Sequence, residues 1–88
     1  MALFAITYDL VERKDYQSLW DEFDRLGGHK ALNSFYLISL NNNRQEVVDH
    51  FAEYIDEDDR LMVIEFNQKP KFTKALKGTN AWIDRHFQ

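Results

Sequence analysis

The chain opens with Ala2 to Leu10, an almost unbroken apolar run that includes Phe4, Ile6, Thr7 and Tyr8. A run of that kind suits a strand covered on both faces, and so a central one. From Asp15 the period changes. Tyr16, Leu19, Trp20, Phe23 and Leu26 recur at helical spacing, with Asp15 placed as N-cap and Gly27-Gly28 as the stop. Ala31 to Leu40 is strand-like, with a bend or split expected at Asn33-Ser34, and ends at the turn-forming run Asn41-Asn42-Asn43. Asn43-Arg44-Gln45-Glu46 has the spacing of a capping box. Val47, Val48, Phe51, Tyr54 and Ile55 then supply the apolar stripe of a second helix. After the acidic group Asp56 to Asp59, Leu61 to Phe66 reads as a further strand, too apolar to lie far from the core. Residues 67–78 form a loop or short arm, and Thr79 is placed to cap a short helix running through Trp82, Ile83, His86 and Phe87.

Strand, helix, strand, helix, strand with short connections predicts a sheet covered by helices. If the 31–40 segment splits at Asn33-Ser34, the unit becomes βαββαβ. The expected architecture is therefore an α+β, ferredoxin-like sandwich, with an antiparallel sheet, two helices on one face and an extra short C-terminal helix. A flavodoxin-like parallel sheet needs more strands than the chain contains. With 88 residues, no repeat and no internal linker, one domain spans 1–88, its core in 1–66 and a basic loop and short helix in 67–88.

Composition narrows the chemistry. Cysteine is absent, which removes disulfides, thiolate nucleophiles and sulfur-ligated zinc, and makes a cytoplasmic setting the expectation. No stretch approaches the ~18–20 apolar residues of a membrane span, so no membrane partner is expected. The three glycines match neither G-x-G-x-x-G nor Walker spacing, and His29, His50 and His86 are too scattered for a zinc site. The net charge of −4 conceals an asymmetry: residues 1–66 hold fourteen acids against six Lys/Arg, whereas 67–88 carry Lys69, Lys71, Lys74, Lys77 and Arg85 against Asp84 alone. The basic end is either a phosphate-facing surface for RNA or DNA or a solubilised loop.

Asp9 is the leading candidate for chemistry, because it ends an otherwise apolar strand at the rim of the sheet. It either accepts backbone N–H bonds from the following turn or serves as a ligand for a hard cation, Mg²⁺ or Mn²⁺. Mg²⁺ keeps much of its water shell, so two symmetry-related Asp9 carboxylates meeting across a dimer axis would suffice to hold it. Ser34 lacks the G-x-S-x-G frame of a nucleophile. The acids of 56–59 lack the turn glycine and terminal glutamate of a calcium loop, and read as a solvated connection. Trp20 and Trp82 read as core anchors.

Tyr8-Asp9-Leu10 at the end of the first strand, Asn33 to Ile38 opening the second half, and Ile55 to Ile64 at the second helix-to-strand junction together resemble the CRISPR-associated Cas-two superfamily. The resemblance is to its stand-alone SinR-like and VapD-like relatives, and it covers roughly residues 1–66, with Trp82 similar to that group's C-terminal tryptophan. It implies a ferredoxin-like fold, a symmetric homodimer, and a metal ion held by the aspartate that ends strand one, Asp9 here. Ser34 and Tyr36 match the superfamily's serine and aromatic. The activity implied is metal-dependent endonuclease action on RNA or DNA, catalysed at Asp9, in an antiviral defence setting. The chain departs from the duplex-clamping members in its acidity, which opposes phosphate binding over most of the surface. One competing reading is a non-catalytic dimeric interaction or regulatory module, in a defence or toxin–antitoxin system, whose acidic face meets a basic protein partner; a third is a small-molecule sensor that uses the sheet face.

Overall fold

A computed structural model describes residues 1–11 and 16–87. In chain order the elements are β1 (Ala2–Asp9), α1 (Gln17–Arg25), β2 (His29–Leu32), β3 (Phe35–Leu40), α2 (Arg44–Ala52), β4 (Arg60–Phe66) and α3 (Thr79–His86). The four strands make one open sheet in the order β2-β3-β1-β4, with every neighbouring pair antiparallel. The apolar opening run is a central strand, flanked by β3 and β4.

Alternation along β1 sends its side chains into two separate cores. Phe4, Ile6 and Tyr8 point to one face, where Leu19 and Phe23 of α1 and Val47 and Phe51 of α2 meet them. Ala5 points to the other, where Leu37 of β3 and Trp82 and Ile83 of α3 close a smaller cluster. Helices α1 and α2 thus share one face and the short C-terminal helix takes the opposite one. Trp82 is a buried anchor, whereas Trp20 is half-buried at the margin of the larger core.

Local chemistry sets the element boundaries. Helix α1 stops because Gly27 adopts φ 78°, the left-handed region where a Cβ is costly. Its amide donates to the Asp24 carbonyl at 3.0 Å, and the Gly28 amide reaches back to the Phe23 carbonyl at 2.8 Å, satisfying two terminal carbonyls. The Asp15 cap expected at the other end lies outside the described residues. Helix α2 starts on the predicted capping box: Asn43 Oδ1 accepts from the Glu46 amide at 2.8 Å, and Glu46 Oε1 accepts from the Asn43 amide at 2.9 Å.

The 31–40 segment is two strands. Leu32 pairs with Phe35 across a turn at Asn33-Ser34, and the register shifts between Lys30 and Leu32. Ser34 takes φ 57°, and its carbonyl accepts from the Tyr8 amide at 3.2 Å and from Thr7 Oγ1 at 3.0 Å, which ties the turn to the end of β1.

Two expectations are corrected and one is refined. Thr79 does not cap α3: the preceding Gly78, at φ 93°, holds that position, and the Thr79 hydroxyl donates to the Leu76 carbonyl at 2.6 Å. The 61–66 segment does lie against the core, through Leu61, Val63 and Phe66, but as an edge strand whose other face exposes Met62, 60% accessible, and Ile64, 47% accessible. The acidic connection is not merely solvated, because the Asp59 carboxylate accepts from the Tyr16 hydroxyl at 2.8 Å and from the Val11 and Asp56 amides at 2.9 Å each. Asp59 therefore braces the start of α1 against the approach to β4.

Candidate functional site

The end of β1 is the point where the sequence and the fold converge. Asp9 is the last residue of the strand and faces Arg60, the first of β4, in the ladder register. Its carboxylate is 73% accessible, and it faces the Arg60 guanidinium, with Nη1 to Oδ2 at 3.8 Å. At that distance and exposure the pair contributes at most about 1 kcal/mol. The Val11 amide donates to Asp59, and residues 12–14, the rest of the turn expected to donate to Asp9, lie outside the described residues. Pleat alternation sets Asp9, Thr7 and Ala5 of β1 on the α3 side of the sheet with Arg60, Met62 and Ile64 of β4. Asp9 thus stands at the rim of the less covered face.

Around it lies a broad cleft of about 570 Å³, whose walls include Tyr8, Trp20, Lys30, Asn33, Ser34 and Arg60. The Trp20 indole donates to the Tyr8 hydroxyl at 3.0 Å. Burial pushes the Tyr8 phenol up, against the lowering effect of that bond, and pushes Tyr36 up to about 12, with Tyr8 and Asp24 adding to the rise. Both phenols are therefore protonated at neutral pH and neither is a base. Tyr36 is buried within the aromatic stack of the core, so it supports the cleft from beneath without entering it.

No protein-family model and no solved structure matches this chain. Asp9 supplies one carboxylate per chain, and among the described residues no three His, Asp or Glu side chains gather into a metal-holding group. Among the described residues lining the cleft, a single subunit offers a hard cation one carboxylate beside a competing guanidinium, which is less than either Mg²⁺ or Mn²⁺ takes in a closed site.

The lysines named above are exposed on the 67–78 segment. They are not gathered at Asp9, and Lys69 is engaged with Asp84 of α3 at 2.9 Å. The histidines all have partners: His29 Nε2 lies 2.8 Å from Thr79 Oγ1, His86 Nδ1 is 2.7 Å from the Trp82 carbonyl, and His50 Nε2 is 2.5 Å from Glu22 Oε2. Burial, with Arg85 nearby, pushes His29 down, towards the neutral imidazole. No helix among the described residues is long and apolar enough to cross a membrane.

One charged group escaped sequence reasoning. Glu22 is only 6% accessible, and it accepts from Arg25 Nε at 2.6 Å and Nη2 at 2.7 Å while also holding His50 of α2. Those hydrogen bonds, the Arg25 pair first, pull its carboxyl down to about 2 despite burial. The signal was present in the spacing, since Glu22 falls three residues after Leu19 and four before Leu26, on the apolar stripe itself. An acid there needs a partner, and Arg25 one turn later supplies it.

Proposed function

We propose that the protein is a homodimeric module of ferredoxin-like topology, akin to the Cas-two superfamily. In this reading the dimer forms against the flank of β4 and brings the two Asp9 carboxylates together as a nuclease metal site. The topology is supported by the strand order β2-β3-β1-β4, antiparallel throughout, with α1 and α2 on one face. The observation that carries the proposal is the exposed apolar flank of an unpaired edge strand, Met62 with Ile64, on the same side of the sheet as Asp9. A small domain gains core by covering such an edge, and a second copy covers it symmetrically.

Two Asp9 carboxylates would meet the modest ligand demand of a hydrated Mg²⁺ or Mn²⁺ ion. A cation held there would lower the pKa of a bound water for attack on a phosphodiester. The chain's own contribution is to hold Asp9 exposed on a rigid central strand, with Arg60 and Lys30 at the cleft as cationic positions for a phosphate backbone. The basic 67–78 segment, Lys71, Lys74 and Lys77 in particular, supplies further contacts of that kind on RNA or DNA.

A second reading is favoured by the Arg60 guanidinium beside Asp9 and by the acid surplus of residues 1–66. In it the same dimer is a non-catalytic interaction or regulatory module that meets a basic protein partner.

One assay separates the two. Labelled single-stranded RNA and double-stranded DNA are incubated with wild type or Asp9→Asn in Mg²⁺, Mn²⁺ or EDTA. Asp9 is exposed, so the substitution changes stability by no more than about 0.5 kcal/mol. The expected result is metal-dependent cleavage that falls to background in the variant. Cleavage unchanged in Asp9→Asn, or absent from both proteins, contradicts the nuclease and leaves the interaction module.

A further inference from the structure

The α3 face of the sheet, at whose rim Asp9 stands, also carries an apolar groove that Asp9 does not line. It is an open groove of about 310 Å³ between the sheet and the 67–78 segment as that segment crosses towards α3, with Leu32, Ile64 and Phe72 exposed at its mouth. Its space arises from small side chains where large ones would be expected. Ala5 lies on the central strand, Ala31 on β2 and Ala75 on the crossing segment, and all three line it. Their neighbours Phe35, Ile64 and Phe72 stand around the cavity without filling it. A concave surface walled mostly by apolar side chains, with Ala5 and Ala31 buried at its floor, favours an apolar guest.

The segment is nevertheless held in place. The Leu76 amide donates to the Ala31 carbonyl at 2.8 Å, Lys69 is paired with Asp84, and the Thr79 hydroxyl closes the turn before α3. The cavity is therefore bounded by anchored backbone.

Charge selects among apolar guests. Lys71 is the one ionisable side chain among the described residues lining the cavity, and no carboxylate lines it. Lys74 and Lys77 follow in the same segment, which contains no acid. We infer that this cavity binds a small anionic amphiphile, a monocarboxylate with an unbranched or ring-bearing hydrocarbon body, whose apolar part lies over Ala5 and Ala31 and whose carboxylate pairs with Lys71. The inference does not rest on the dimer or on nuclease activity.

The test uses the full chain, with decanoate below its micelle-forming concentration as probe and decanol as the uncharged control. Binding is followed by calorimetry and by the methyl resonances of Ala5, Ala31 and Ile64. Decanoate is expected to bind saturably at one site, shift those three methyls and raise the melting temperature, and decanol to bind more weakly. Lys71→Glu, at an exposed position, should weaken decanoate by roughly fivefold and leave decanol unchanged. Ala75→Leu fills the cavity and should abolish binding of both. Absence of saturable binding to wild type overturns the assignment, as does binding that survives both substitutions. Protection of the same methyls by self-association, without any response to decanoate, also overturns it, and identifies the cavity as part of a subunit interface.

Discussion

Replacing Phe23 by alanine is expected to remove about 3–5 kcal/mol of folding stability, the cost of emptying a fully buried aromatic site. Phe23 has no accessible surface. It lies between Tyr36, with ring centroids 4.1 Å apart, and Phe51, at 4.5 Å, so one side chain joins α1 to both β3 and α2. Such a loss is a large part of the ~5–15 kcal/mol available to a domain, and it corresponds to a fall of more than about 10 °C in Tm. Urea denaturation followed by circular dichroism gives the value directly. A loss below about 1 kcal/mol would mean that the stack does not hold the layers together.

The second large effect is expected at Glu22. Glu22→Ala should cost about 2–3 kcal/mol, since it leaves a buried polar site empty and His50 without its carboxylate. The value belongs at the lower end for a buried ion pair because Arg25, 65% accessible, recovers hydration when released. The pH dependence has a definite sign. The carboxyl is pulled down from 4.5 to about 2 in the folded chain, so its contribution is complete above pH 4.5 and is lost as pH falls through about 2. The gap in stability between wild type and Glu22→Ala should therefore be widest above pH 4.5 and close on acidification towards pH 2. A gap that is constant across that window would show that the carboxylate charge contributes nothing.

These two residues also mark how far the sequence could be read. Phe23 was legible because an apolar stripe at helical spacing, ended by Gly27-Gly28, leaves one face to bury. The Asn43 to Glu46 capping box was legible for a similar reason, since both of its hydrogen bonds are local. Glu22 sat on the stripe with its partner Arg25 one turn away, and was overlooked because charge on a helix is ordinarily solvated. His50, the other partner, is brought to it by tertiary packing that no spacing reveals. The split at Asn33-Ser34 was ambiguous because the turn has no glycine, its positive φ falling on Ser34, whose carbonyl is bonded to β1. The exposure of Met62 and Ile64 was illegible for another reason: hydropathy identifies a strand but does not say whether it lies at an edge. Asp9 ends β1 as its place after an apolar run predicts, with its carboxylate exposed.

The central claim is self-association through the flank of β4, on which the paired Asp9 site depends. It is tested most directly by light scattering on wild type and Met62→Glu at about 50 μM, since dimer population follows concentration. The account predicts twice the 10.5 kDa chain mass for wild type and a single chain mass for Met62→Glu, which sets a charge at the most exposed apolar position of the edge strand. A single chain mass for wild type, or a dimer indifferent to the substitution, would contradict it.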